Sequence, residues 1–178
     1  MNSTAERDIQ QLQSPQMQQR YEAIERLGET GGPEAVGPLI DILRHALDNW
    51  DERFLVTPAI RALGRLKAKQ AVPVLLQALE NSLVFVKSDA AEALGELEGN
   101  GEVLERLKRM LANDEHKEVR EGVLRGLGGI KNPEAVRVLA NVIRNDPDPE
   151  MKEQAIRALG RGKQLDALPA LTDFYRQE

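Results

Sequence analysis

One short phrase recurs five times along the chain: Ala23-Ile24-Glu25-Arg26-Leu27-Gly28, Ala59-Ile60-Arg61-Ala62-Leu63-Gly64, Ala90-Ala91-Glu92-Ala93-Leu94-Gly95, Val123-Leu124-Arg125-Gly126-Leu127-Gly128 and Ala155-Ile156-Arg157-Ala158-Leu159-Gly160. The final glycines are separated by 36, 31, 33 and 32 residues. A period of that length describes stacked helical pairs, in which no single repeat can bury its apolar face alone. The expected architecture is therefore an all-α, right-handed α-solenoid of about five helical hairpins.

Within each unit the phrase ends a first helix, A, and its glycine is expected to close that helix through a left-handed turn. Breaker-rich turns follow, such as Gly31-Gly32-Pro33-Glu34 and Lys131-Asn132-Pro133-Glu134, with the prolines suited to a first helical turn. A second helix, B, repeats as well, as in Ala35-Val36-Gly37-Pro38-Leu39-Ile40 and Ala135-Val136-Arg137-Val138-Leu139-Ala140. Apolar spacing of i, i+3, i+4 and i+7 predicts A/B pairs near 15–28/34–47, 53–65/70–81, 84–97/101–112, 116–129/134–145 and 149–161/165–177. Residues 1–14 are polar and Gln-rich, a frayed extension or a polar cap, and 15–178 read as one repeat domain. The junction His45–Leu55 is longer than the others and holds the sole tryptophan. Trp50 and Phe54 there either seal two layers or contact a ligand.

Only 3% of the residues are aromatic, so Leu, Ala, Ile and Val must fill the core. The net charge of −5 disfavours nonspecific attraction of polyanions. Without cysteine, disulfides, thiolate metal ligands and a cysteine nucleophile are excluded. The N-terminus has no signal-peptide core and no apolar run could span a membrane, which points to a cytoplasmic protein. His45 and His116 are read as surface residues, and no phosphate loop, zincin motif or nucleophile elbow occurs. No catalytic, metal or cofactor residue is nominated, and no cofactor is expected.

Asp114, Val119-Arg120, Val123–Gly128 and Pro133-Glu134-Ala135-Val136-x-x-Leu139 resemble the unit of the HEAT family, specifically its short phycobilisome-lyase-like (PBS lyase) subclass. The resemblance spans roughly residues 20–175. It implies that Arg120 reaches an acidic side chain of the adjoining unit, such as Asp89 or Glu121. It also implies that the B helices line a concave side.

Aligning the units then places Asp41, Gln77, Arg109, Asn141 and Asp173 in one inward column. Arg44, Glu80, Ala112, Arg144 and Arg176 follow one turn later, with Lys108 and Arg137 adding positive charge. Such a surface suits an acidic segment of another protein. The leading functional expectation is a noncatalytic adaptor or scaffold that binds protein as a monomer. The alternative implied by the resemblance is a bilin (open-chain tetrapyrrole) lyase subunit or chromophore-handling chaperone. Trp50, Phe54, His45 and Arg44 are its nearest candidates for a pigment pocket. Nucleic acid is not an expected partner, because Glu80, Glu105 and Asp173 interrupt the basic groups.

Overall fold

The computed structural model describes residues 3–97 and 101–161, and every regular element among them is helical. In chain order these are α1 (Ser3–Gln11), α2 (Met17–Thr30), α3 (Pro33–Asp48), α4 (Val56–Arg65), α5 (Val72–Ala78), α6 (Val84–Glu96), α7 (Gly101–Asn113), α8 (Lys117–Gly129), α9 (Pro133–Asn145) and α10 (Pro149–Arg161). The helix expected over 165–177 lies outside the described residues, and with it Asp173 and Arg176. Short 3-10 helices, Trp50–Leu55 and Lys69–Ala71, lead into α4 and α5. The even-numbered helices from α2 to α10 form an A row in which each lies against the next. Each B helix, α3, α5, α7 and α9, lies against the A helix that follows it. The result is an all-α solenoid.

One device opens every described A helix after the first. An Asn or Asp at the B-to-A junction accepts a hydrogen bond from the backbone N–H two residues on, a local turn that stops one helix and aims the next. Asn49 does so for Asp51 (3.1 Å), Asn81 for Leu83 (2.9 Å), Asp114 for His116 (3.0 Å) and Asp146 for Asp148 (2.9 Å). At the start of α9, Asn132 caps the N–H of Glu134 (2.8 Å) while Pro133 occupies the first turn, where its missing N–H costs nothing.

The recurring glycines do something other than end helices. None among the described residues has a positive φ, and Gly28, Gly64, Gly95, Gly128 and Gly160 all lie within their helices. The left-handed residue after α4 is instead Lys67 (φ 49°), with the N–H of Ala68 bonded back to the carbonyl of Leu63 (3.1 Å). What four of these glycines allow is contact between neighbouring A helices. A methyl group on Gly28 would stand 2.8 Å from Ala62 Cα, and one on Gly128 would stand 2.5 Å from the carbonyl oxygen of Ala158. Between α6 and α8 the fit is tighter still, because a methyl on Gly95 would strike the backbone of Gly126, and one on Gly126 the carbonyl of Ala91. Gly costs about 1 kcal/mol against Ala inside a helix. That cost is offset here by backbones packed too closely for any side chain between them.

Around this seam the leucine before each glycine is fully or almost fully buried, as are Ala23, Ala59, Ala90, Val123 and Ala155. Helix α1 and the turn after it pack on α2, burying Ala5 and Leu12, and Asp8 of α1 accepts a hydrogen bond from Arg26 Nε–H at 2.9 Å. The segment read as a polar extension or cap thus packs as a helix on α2.

Charged pairs run across the same row: Arg61–Asp89 (3.2 Å) joins α4 to α6 and Arg125–Glu92 (2.7 Å) joins α8 to α6. Arg120 departs from expectation. Its Nη1 donates to the carbonyl oxygen of Asp114 in its own unit (2.8 Å), while Asp89 pairs with Arg61. The expected ladder is found at the same repeat position in two other units, eight residues before the final glycine, as Arg20–Glu52 (2.8 Å) and Lys87–Asp114 (3.1 Å).

Gly126→Ala should cost about 3 kcal/mol in urea unfolding, since the added carbon meets backbone rather than a movable side chain. Lys67→Gly should raise stability by about 0.5–1 kcal/mol, because only the left-handed strain is removed. An unaltered midpoint for Gly126→Ala would mean wider spacing of α6 and α8, and one for Lys67→Gly would mean no left-handed strain at that turn.

Candidate protein-interaction surface

A core built on glycine and alanine seams has no room for rings. All four aromatic residues among the described ones, Tyr21, Trp50, Phe54 and Phe85, are exposed large hydrophobics, and Met17 is the fifth. They gather where the A helices begin. Tyr21 stands in the first turns of α2, Phe54 immediately before α4 and Phe85 at the start of α6. With Arg53, Thr57, Pro58 and Leu83 they line a mainly apolar cavity of about 340 Å3. Beside it, Trp50 and Arg53 form a smaller cleft with the Asn81–Leu83 turn.

Arg53 stands between two of the rings. Its guanidinium lies 4.5 Å from the Trp50 ring centre and 4.3 Å from that of Phe54, and its Nη1 donates to the carbonyl of Trp50 at 2.9 Å. The inward residues of this turn are Leu55 and Val56, both buried. The layer is therefore sealed by aliphatic side chains, while Trp50 (65% exposed) and Phe54 (61%) face outward. Of the two roles expected for these rings, layer sealing does not hold.

Behind this edge, Arg20 and Glu52 form a two-bond pair, 2.8 Å for each N–H to oxygen contact, with both side chains mostly buried. The hydrogen bonds from Arg20 hold the Glu52 carboxyl below its usual range against the opposing effect of burial. His45 Nε2 approaches the same carboxylate at 3.7 Å. His45, Asp41, Arg20 and Glu52 share a groove of about 580 Å3 with Ile9, Leu12 and Ile42, between α1 and α3. The four residues nominated for a pigment pocket therefore do not converge. His45 lines this groove, Trp50 and Phe54 line the other cavities, and Arg44 turns to Asp41 at 3.4 Å.

Along the B row, Gln77, Arg109, Ala112, Arg137, Asn141 and Arg144 are exposed as expected. Their neighbourhood is less basic than the sequence suggests. Lys108 contacts both Glu105 (2.7 Å) and Glu134 (2.5 Å), and Glu80 is paired with Arg106. Asn141 accepts a bond from Asn145 at 2.7 Å. Among the described residues no His, Asp and Glu side chains cluster to share a metal ion, and no helix is long and apolar enough to cross a membrane.

Sequence reasoning did not nominate Tyr21, Arg53, Leu83 or Phe85. One signal was available: Phe54 and Phe85 both stand ten residues before their unit's final glycine, where the other units carry Gln18, Glu118 and Glu150. Two rings at one register in adjacent repeats must lie side by side.

Comparison with known proteins agrees with the helical-repeat fold. The family model of HEAT repeats matches residues 58–124 and 104–178, more than half of the chain, and that of the PBS lyase HEAT-like repeat matches 19–45. No curated protein sequence matches. Among solved structures, the chain is similar to one in the complex of CpcE and CpcF of phycocyanin lyase from Nostoc sp. PCC7120, with 28% identity and a TM-score of 0.70. That match covers 92% of this chain and 66% of the other, so this chain spans less than two thirds of that relative. An engineered protein is similar in fold alone, at 23% identity and a TM-score of 0.57, covering 97% of this chain and 90% of its own.

Arg20→Ala should cost about 2 kcal/mol at pH 7 by stranding a mostly buried carboxylate. The folded pKa of Glu52 is below its unfolded value of about 4.3. Its contribution is therefore present above that pH and is lost as pH falls through the folded pKa. The gap between Arg20→Ala and the parent protein should accordingly narrow at pH 3 in urea titrations. Phe54→Ala, in contrast, should change stability by less than about 0.5 kcal/mol, whereas Leu55→Ala should cost about 2–5 kcal/mol.

Proposed function

This chain belongs to the HEAT-repeat family, and from that premise we propose that it serves as the protein-binding subunit of a bilin lyase of the phycobilisome type. One observation carries the reading: 92% of the chain follows, at 28% identity, a chain from a phycocyanin lyase complex. The lyase-like repeat match at residues 19–45 supports it from the opposite end of the chain to most of the general HEAT match. A general adaptor role would account for the repeats equally well, but not for that particular likeness.

The matched complex contains two different chains, CpcE and CpcF. By analogy this chain is a monomer that works once joined to a second subunit. Its share of the work is recognition. The exposed rings around Arg53 and the polar B row offer area for a polypeptide, while the groups that could move protons are engaged with one another, as in Arg20–Glu52 and Lys108–Glu134. An open-chain tetrapyrrole would be handled at the joint between subunits rather than in an enclosed pocket of this chain.

A reconstituted reaction tests this. The chain is substituted first for CpcE and then for CpcF, in a mixture with apo-phycocyanin and a bilin. Covalent pigment is read by zinc-enhanced fluorescence in denaturing gels. Attachment is expected with one of the two substitutions. No attachment with either, together with no complex with CpcE, CpcF or phycocyanin in size-exclusion chromatography, would defeat the proposal.

A further inference from the structure

We infer that the aromatic edge around Arg53 docks an acidic–apolar segment of a partner polypeptide, a short stretch in which an Asp or Glu stands between large apolar side chains. This deepens the reading above by giving the partner's chemistry, and it rests only on the protein-binding half of that reading.

Charge complementarity selects the occupant. On α2, α4 and the turn between α3 and α4, Arg20, Arg26, Arg61 and Arg65 each form an ion pair with a carboxylate of this chain. Arg53 forms none among the described residues. It meets two rings and one backbone carbonyl. A guanidinium packed on two rings loses less freedom when a carboxylate arrives, and its remaining N–H groups suit a two-point contact. In a chain of net charge −5, this places a positive group in the wall shared by the apolar cavity and the Trp50 cleft.

The cavity sets the rest of the motif. Tyr21, Phe54, Pro58, Leu83 and Phe85 supply apolar walls, so the acid must be flanked by large apolar side chains. Thr57 lines the same cavity, but its Oγ1 is closed off from solvent, so the apolar walls and Arg53 are what an incoming segment would meet.

Trp50 is the sole tryptophan, so its fluorescence reports this edge without ambiguity. The immobilised full chain is panned with a random-peptide phage library. Enriched peptides are then titrated against the free protein by Trp50 emission. The expected result is enrichment of sequences with Asp or Glu beside Leu, Ile, Phe or Met, and a blue shift as Trp50 is covered. Arg53→Glu and Phe85→Ser should each weaken binding at least about tenfold, the loss seen when a central interface anchor is removed. Both variants should keep their helical circular dichroism. Panning against Arg53→Glu should replace the acidic position by Lys or Arg, an exchange that a merely structural role would not produce.

Proline-rich or acid-free consensus sequences, no enrichment at all, or unchanged affinity in both variants would overturn the inference. So would self-association that Phe85→Ser abolishes, since a second copy would then be the occupant, or a Trp50 shift produced by biliverdin alone with no peptide response. Pigment attachment that persists while panning fails sinks this inference alone. Acidic–apolar enrichment without any pigment attachment sinks the lyase reading alone.

Discussion

The backbone contact between neighbouring A helices is the constraint from which the rest follows. At Gly95 and Gly126, α6 and α8 approach until no β-carbon fits between them. Helices so close bury their carbonyl and Cα surfaces against each other, and the remaining core is filled by Leu, Ala, Ile and Val. Large rings have no volume to enter. The scarcity of aromatics and the exposure of the described ones are thus two consequences of one spacing: the four described rings are displaced to the rim, where α2, α4 and α6 begin.

Exposure of the four described rings gives the described residues two chemically different exteriors. Along the A row, opposite charges from successive helices face each other, as in Arg61–Asp89 and Arg125–Glu92. Exposed pairs of this sort contribute only about 0–1 kcal/mol each, but they occupy charges that would otherwise be available to a partner. The same holds on the B row, where Lys108 is shared between Glu105 and Glu134. At the aromatic edge the balance differs. Apolar area is exposed and the charge at its centre is held by rings rather than neutralised, a combination found at the anchors of protein interfaces.

The repeat period, the helical alternation and the family resemblance were legible because packing residues recur at fixed spacing. What the glycines do was not. A glycine at the end of an apolar phrase is equally compatible with a left-handed turn and with a helix crossing, and only the neighbouring helix distinguishes them. The partner of Arg120 was misread for a related reason. Asp89 pairs with Arg61 of the preceding unit and Arg120 bonds the backbone of its own, a choice that register alone does not fix. Trp50 and Phe54 stood out because the junction holding them is long. Tyr21 and Phe85 did not, because each lies within an otherwise ordinary unit.

By itself the amino-acid order determined that the chain is a stack of helical pairs, since apolar positions repeating at helical spacing every thirty or so residues have no other way to leave water. It also determined that the core would be aliphatic. Tertiary structure alone decided which side chains meet: that α6 and α8 touch through glycine, that Arg53 is held between Trp50 and Phe54, and that rings from three repeats share one rim. The division is physical. Periodicity records which face of a helix is buried, whereas the distance and rotation between helices arise from every contact at once.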